Sequence, residues 1–444
     1  MTSQPKPELT LFDSTCLIVG IIIGAGIYQM APDIAKGAGG PWGVLGLWGL
    51  GGLLSLAGAL SYAELATAYP REGGDYVYLN RAYGSWAGFL FAWAQLAIVR
   101  PGDIVVMAFA FAKYARAIYD PLANTPFPYT EHLYAAAAVI GLTLINVLGV
   151  REGKWTQNLL TTAKALGLLC IVGAAFAVPP AKVQVENPGQ IPWSLALIFV
   201  LFTYGGWNEM AYVAAEVKNP RRNIVRALVL GMAAVTALYL LVNGAFLYAL
   251  GYPGLAASKA VGVDAVSGVL PGLAGPLIAA MICVSALGAV NGLVFTGARI
   301  SYALGADHRL FGWLGQWHPR WGTPAAALLV QGAIALALIV LLGSFVHAVL
   351  YTAATVYSFY LATTLAVIVL RRKEPHVDRP YRVLGYPATP LVFAGVCLFL
   401  IHAAVTYKPK IAAASGLLLL LGLVLWRLSR QQQVIGPSPK LPAS

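Results

Sequence analysis

Two short stretches place glycine where a membrane-spanning helix accommodates it least. One is Gly24-Ala25-Gly26 inside GIIIGAGIY (Gly20 to Tyr28), and the other is Gly205-Gly206 inside FTYGGWN (Phe202 to Asn208). Glycine weakens a helix by roughly 1 kcal/mol relative to alanine, yet both stretches sit in apolar runs long enough to cross a bilayer. Hydrocarbon supplies no partner for a peptide N–H or C=O, so an unwound turn at that depth is tolerated only where it is buried or lines a cavity. The freed main chain then has a chemistry of its own. A half-helix beginning at Gly26 aims N–H donors and the positive end of its dipole at the break, which suits a carboxylate, while the carbonyls that close the preceding half suit an ammonium. An amino acid carries both groups. Close helix packing is the other use of such small residues; two interruptions in corresponding positions of two halves of a chain point to a transport site.

Polar side chains inside the apolar runs are the next candidates. Lys164 lies well within one, beside Thr161 and Thr162. A buried lysine is easily neutralised, so it is a proton-responsive group, a fixed positive charge, or an inert partner in an ion pair. Arg100, followed by Pro101 and Asp103, is either a functional intramembrane charge or an anchor that snorkels or pairs with Asp103 one turn on. Trp207, beside the second glycine pair, either packs or closes a pocket. Asn291 hydrogen-bonds a solute or a neighbouring helix. Neither a metal-spaced cluster nor a Ser/His/Asp arrangement stands out, and His132, His308, His318, His347, His376 and His402 fall mainly at the ends of apolar runs and in loops. An enzyme is therefore not expected, and no cofactor is implied.

The elements that must position these groups are legible in composition. The 444 residues are 59% hydrophobic and 10% charged, with mean hydropathy +0.73, where a soluble domain has about a quarter charged residues. Taking runs of about 20 apolar residues as spans, the sequence predicts twelve helices, near 11–36, 41–69, 84–116, 131–149, 155–178, 192–217, 223–250, 272–304, 323–342, 345–370, 386–407 and 411–429. The net charge of +12 invites a nucleic-acid reading, but with the N-terminus inside, 20 of the 29 Lys and Arg fall on the inner side and 7 on the outer. That asymmetry is the positive-inside pattern and puts both termini in the cytoplasm. All four cysteines, Cys16, Cys170, Cys283 and Cys397, lie in apolar runs, so no disulfide framework is expected. The short polar start, MTSQPKPELT, reads as a cytoplasmic tail rather than a cleaved leader. The loop Pro70 to Gly84 is either an inner gate or a solvated connector, and the last two spans, poor in polar residues, are expected to be peripheral or to face another subunit.

GIIIGAGIY, FTYGGWN, GGDYVYL, the Arg-Pro of the third span, VNGLVFTGAR (Val290 to Arg299) and EVKNPRRNI (Glu216 to Ile224) together resemble, in matching order, the amino acid–polyamine–organocation superfamily, and within it the L-amino acid transporter group. The likeness runs from about residue 10 to 430. It implies an all-α polytopic membrane protein of twelve transmembrane helices with a LeuT-type 5+5 inverted repeat and discontinuous helices 1 and 6. On that plan 1–10 is a tail, 11–178 and 192–370 are the two repeats, 386–429 holds helices 11 and 12, and 430–444 is the C-terminal tail. The resemblance also implies roles. The amides of Gly24, Ala25, Gly26 and Ile27 would hold a substrate carboxylate, and the carbonyls of Ile21, Phe202 and Tyr204 its amino group. Phe202 would be a thin outer gate, Gly205, Trp207 and Asn208 would shape the pocket with Asn291, and Lys164 would stand where sodium-coupled relatives hold their ion.

Two departures from the family pattern bear on function. Glu209 stands where an apolar or aromatic residue is usual, which with Arg100 makes it a candidate for specificity. No cysteine occurs between Tyr119 and Glu131, so no disulfide-linked heavy chain is expected; a monomer or loose homo-oligomer in the cell membrane is. The resulting expectation is sodium-independent exchange of neutral L-amino acids by alternating access. Its rivals are proton-coupled symport or uniport, and amino acid sensing without transport.

Overall fold

Helices are the way an apolar chain satisfies its own peptide groups in lipid, and helices are what the chain forms. The computed structural model describes residues 7–71, 73–122, 129–177, 190–342, 345–407 and 409–429. Most of both tails and part of the Tyr119 to Glu131 segment lie outside these. In chain order the helices are α1 (Leu11–Ile22), α2 (Gly26–Gln29), α3 (Ala31–Ala38), α4 (Pro41–Ala68), α5 (Asp75–Tyr83), α6 (Ser85–Ala94), α7 (Arg100–Ile118), α8 (Thr130–Leu148) and α9 (Val150–Ala177). There follow α10 (Trp193–Thr203), α11 (Pro220–Ala257), α12 (Val261–Val266), α13 (Ala274–Asp307), α14 (Ala325–Leu342), α15 (Phe345–Lys373), α16 (Ala388–Tyr407) and α17 (Pro409–Leu428). The described residues contain no strand, only an isolated bridge between Leu9 and Val217.

Among the described residues nine helices are long and apolar enough to cross a membrane, counting α1 with α2 and α6 with α7; Ala325–Leu341 and Gly416–Leu428 are shorter apolar helices. Large side chains such as Leu159, Leu166, Trp193 and Leu420 face outward in the open, as a lipid-bathed surface permits. The chain is an all-α polytopic membrane protein.

Local chemistry fixes the ends. Thr10 caps α1 through a reciprocal box, its hydroxyl 3.2 Å from the Asp13 N–H and its own N–H 2.9 Å from the Asp13 carboxylate. Asp13 also accepts from Asn158 of α9 at 2.6 Å. Just before α7, Gln95–Val99 forms a π-helical turn, which absorbs the missing donor and bulky ring of Pro101.

Two expectations are corrected. The 70–84 loop is not a solvated connector. It folds into α5 against α4 and α15, with Asp75 wholly buried and accepting from the hydroxyls of Tyr62 and Thr363. Arg81 and Tyr69 both reach Glu374, at 2.8 and 2.9 Å. Nor is α16 merely peripheral: it packs on α15 and α4, and its Phe393, Val396 and Leu400 reach the central cavity. Long apolar helices without polar residues carry no sequence signal for which neighbour covers them.

Candidate functional site

Both interruptions exist and face each other. At the first, α1 stops at Ile22, Ile23 turns out of helical conformation (ψ 82°), and α2 begins at Gly26. The Gly24 N–H folds back onto the Ile22 carbonyl at 2.8 Å, so it is not free as expected. No backbone carbonyl among the described residues accepts from the N–H groups of Ala25, Gly26 and Ile27. At the second, α10 stops at Thr203, the Gly205 N–H bonds the Phe202 carbonyl at 3.0 Å, and the chain resumes as a 3-10 helix, Trp207–Ala211. The Ile21 and Tyr204 carbonyls receive no backbone N–H among the described residues; the Phe202 carbonyl is engaged.

Glycine is needed at Gly206 for two reasons. Its φ of +113° is a conformation L side chains rarely adopt, and a Cβ there would lie 2.7 Å from the Ile21 side chain of the other break. A Cβ on Gly26 would come within 3.1 Å of Thr203. Tyr239 of α11 bridges the two, its hydroxyl 3.0 Å from the Ile22 carbonyl and 3.3 Å from that of Thr203.

Between the breaks lies a cavity of about 140 Å³. From the first break Ile21, Ile22, Gly24 and Gly26 line it; from the second, Phe202, Thr203, Gly205, Gly206, Trp207 and Glu209. Trp207 closes one side, edge-on to Tyr62 with centroids 5.0 Å apart and 5.5 Å from Phe393. Ala25, Ile27, Tyr204, Asn208, Asn291, Lys164 and Arg100 are not part of the lining.

The polar side chains among them have visible occupations. Lys164, 1% exposed, puts its ammonium 2.7 Å from the Gly20 carbonyl, 2.7 Å from that of Ile23 and 2.9 Å from that of Ser285. The Ser285 hydroxyl adds a bond to Ile23 at 2.8 Å. The lysine therefore caps the carbonyl end of α1 from behind the cavity. Asn208 donates to the Tyr212 hydroxyl at 2.9 Å and accepts from that of Tyr360 at 2.7 Å. Asn291 is a helix partner, its amide group linking Asn146 at 2.8 Å and Gln157 at 3.0 Å. The Tyr204 hydroxyl donates to the Trp48 carbonyl at 3.0 Å.

Arg100 is neither a snorkelling anchor nor paired in its own helix. Its guanidinium crosses to Glu209 at 2.8 Å, both side chains under 5% exposed, and it lies over the Tyr212 ring. Glu209 accepts a second bond from Thr296. Asp103, which sequence reading treats only as a partner for Arg100, instead lines the cavity. Its position one turn beyond a mid-span arginine and a proline is the signal that could have marked it.

The chain matches the amino acid permease family over residues 9–426. The b(0,+)-type amino acid transporter 1 of Mus musculus is 30% identical over 418 residues, 92% of this chain and 84% of that protein. The Large neutral amino acids transporter small subunit 2 of Homo sapiens is 31% identical over 402 residues, 87% of this chain and 74% of that one. The chain belongs to the amino acid permease family. It is thus a multi-pass membrane protein of the amino acid–polyamine–organocation superfamily, a family of transporters and not of enzymes, and the permease carries its paired breaks where that family resemblance leads one to look. One of these relatives is named as a small subunit, a name that speaks of a larger assembly for that protein and is not in line with the expectation of no heavy chain.

Proposed function

We propose that the permease is a sodium-independent exchanger of L-amino acids, neutral ones included, working by alternating access between a five-plus-five pair of repeats in a twelve-span frame, in the cell membrane with both termini cytoplasmic. The observation that carries the reading is the juxtaposition of bare main chain at the two breaks. The Gly26 N–H suits a carboxylate and the Ile21 carbonyl an ammonium, both residues lining one cavity, and the bare N–H groups of Ala25 and Ile27 and the Tyr204 carbonyl adjoin them along the chain. The remaining lining, with Val106, Met107, Leu293 and Val356, accepts an apolar side chain.

Sodium independence is supported by Lys164. Its ammonium already occupies the carbonyls of Gly20, Ile23 and Ser285, which an ion would otherwise need. Exchange follows if the empty cavity, its donors and acceptors unsatisfied, reorients slowly. Counterflow in proteoliposomes tests it: internal amino acid should accelerate uptake at least about tenfold without sodium, and uptake indifferent to internal solute would count against exchange. Accumulation into empty vesicles driven by an acid-outside gradient would instead support proton coupling, and binding with no flux would support a sensor.

A further inference from the structure

Acidic groups outnumber basic ones around the cavity. Arg100 and Glu209 pair at 2.8 Å. Asp103 adds a second carboxyl group, which accepts a hydrogen bond from Thr352 but forms no ion pair among the described residues. The groups facing it are Arg100 on its own helix, Glu209 from the second break, and Thr352, Tyr357 and Tyr360 from α15. The one cation among them is committed to Glu209, which also holds the Thr296 hydroxyl. Asp103 and Glu209 both line the space between the breaks, but Glu209 is paired with Arg100 and Asp103 is not, and apart from these groups that space is mostly apolar. A carboxylate in such surroundings is costly unless a positive charge joins it.

A zwitterion's own carboxylate and ammonium cancel, so a neutral amino acid leaves this imbalance untouched. A cationic side chain removes it. Resting on the reading of the cavity as an amino acid site, we infer that Asp103 determines specificity there: it receives the side-chain ammonium or guanidinium of a cationic amino acid, while Met107, Val106 and Val356 cover the aliphatic stem. Glu209, the acid that stands out in the sequence, is instead the fixed counter-charge of Arg100.

The test compares L-lysine with L-norleucine, which keeps the aliphatic stem and lacks the terminal ammonium, by thermal shift and by competition for uptake in the purified permease. The wild type should prefer lysine by at least about tenfold, the effect of a close, poorly solvated charge pair. Asp103→Asn should lose or reverse the preference while still binding norleucine, and Asp103→Glu should retain it. Equal affinities for the two in the wild type, or a lysine preference that survives Asp103→Asn, overturns the inference and leaves the amino acid site standing; so does norleucine binding with uptake of a proton at equal affinity. If neither ligand binds the wild type, the amino acid reading of the cavity falls with it. Should Asp103→Asn fail to fold, the wild-type ratio decides alone.

Discussion

The two breaks use the same device, glycine inside a membrane span, and resolve its cost differently. At the first, the protein fills one half of the break with its own cation: Lys164 takes the carbonyls of Gly20 and Ile23 and ties them to α13 through Ser285, leaving the N–H side bare. At the second, Gly206 reverses the chain in a left-handed turn, and a charged side chain, Glu209, follows at once. That charge is neutralised by Arg100 of α7 and receives a hydrogen bond from Thr296 of α13. The first break is therefore held by a cation on main chain and the second by an ion pair between side chains. An unwound turn in lipid stays unwound only if other helices occupy the groups its ligand does not use.

Lys164→Met should produce the largest effect. It strips three buried carbonyls of their charged donor, leaving that of Ile23 only the Ser285 hydroxyl; at about 1–3 kcal/mol for each bond to a charged group, unfolding in detergent should shift by several kcal/mol and uptake should nearly vanish. Arg100→Met comes next. Leaving Glu209 buried without its partner costs about 3–5 kcal/mol, whereas the double change with Glu209→Gln should recover much of that. Equal losses in the single and double variants would mean that the pair does not hold the second break. Gly26→Val is smaller in stability, about 1–3 kcal/mol from crowding against Thr203, but should abolish binding; wild-type uptake would remove Gly26 from the site.

The smallest effect lies away from both breaks, at Asp75 in α5. Burial raises its carboxyl to about 6 from 3.8. The folded state thus favours the protonated form, and the stability this contributes is fully present below about pH 3.8 and lost as pH rises through about 6. Asp75→Asn should flatten that part of the stability profile; an unchanged slope between pH 4 and 6.5 would show that Asp75 does not link α5 to pH.

Much of this architecture was legible because lipid leaves few options. Long apolar runs must be helices, and glycine pairs within them mark where a helix opens, so the breaks and Lys164 could be read directly. Pairing across helices could not. Arg100 has Asp103 one turn away and Glu209 on another span, and no periodicity says that the distant acid wins; sequence reading therefore left Asp103 as a partner for Arg100 and missed its place beside Glu209 in the cavity lining. Asn208 and Asn291 failed as lining residues for a related reason, since a buried amide needs partners and found Tyr360 and Gln157 before any solute. The helix Asp75–Tyr83 was missed because its polar residues look solvated until Tyr62 and Thr363 are seen to cover them.

A structure of the permease with an amino acid bound tests the central claim most directly. The account predicts its carboxylate against the amides of Ala25, Gly26 and Ile27 and its ammonium at the carbonyls of Ile21 and Tyr204, with Lys164 unmoved on Gly20 and Ile23. Density for the amino acid outside this cavity, or a first helix that runs straight through Gly24 and Gly26, would contradict it.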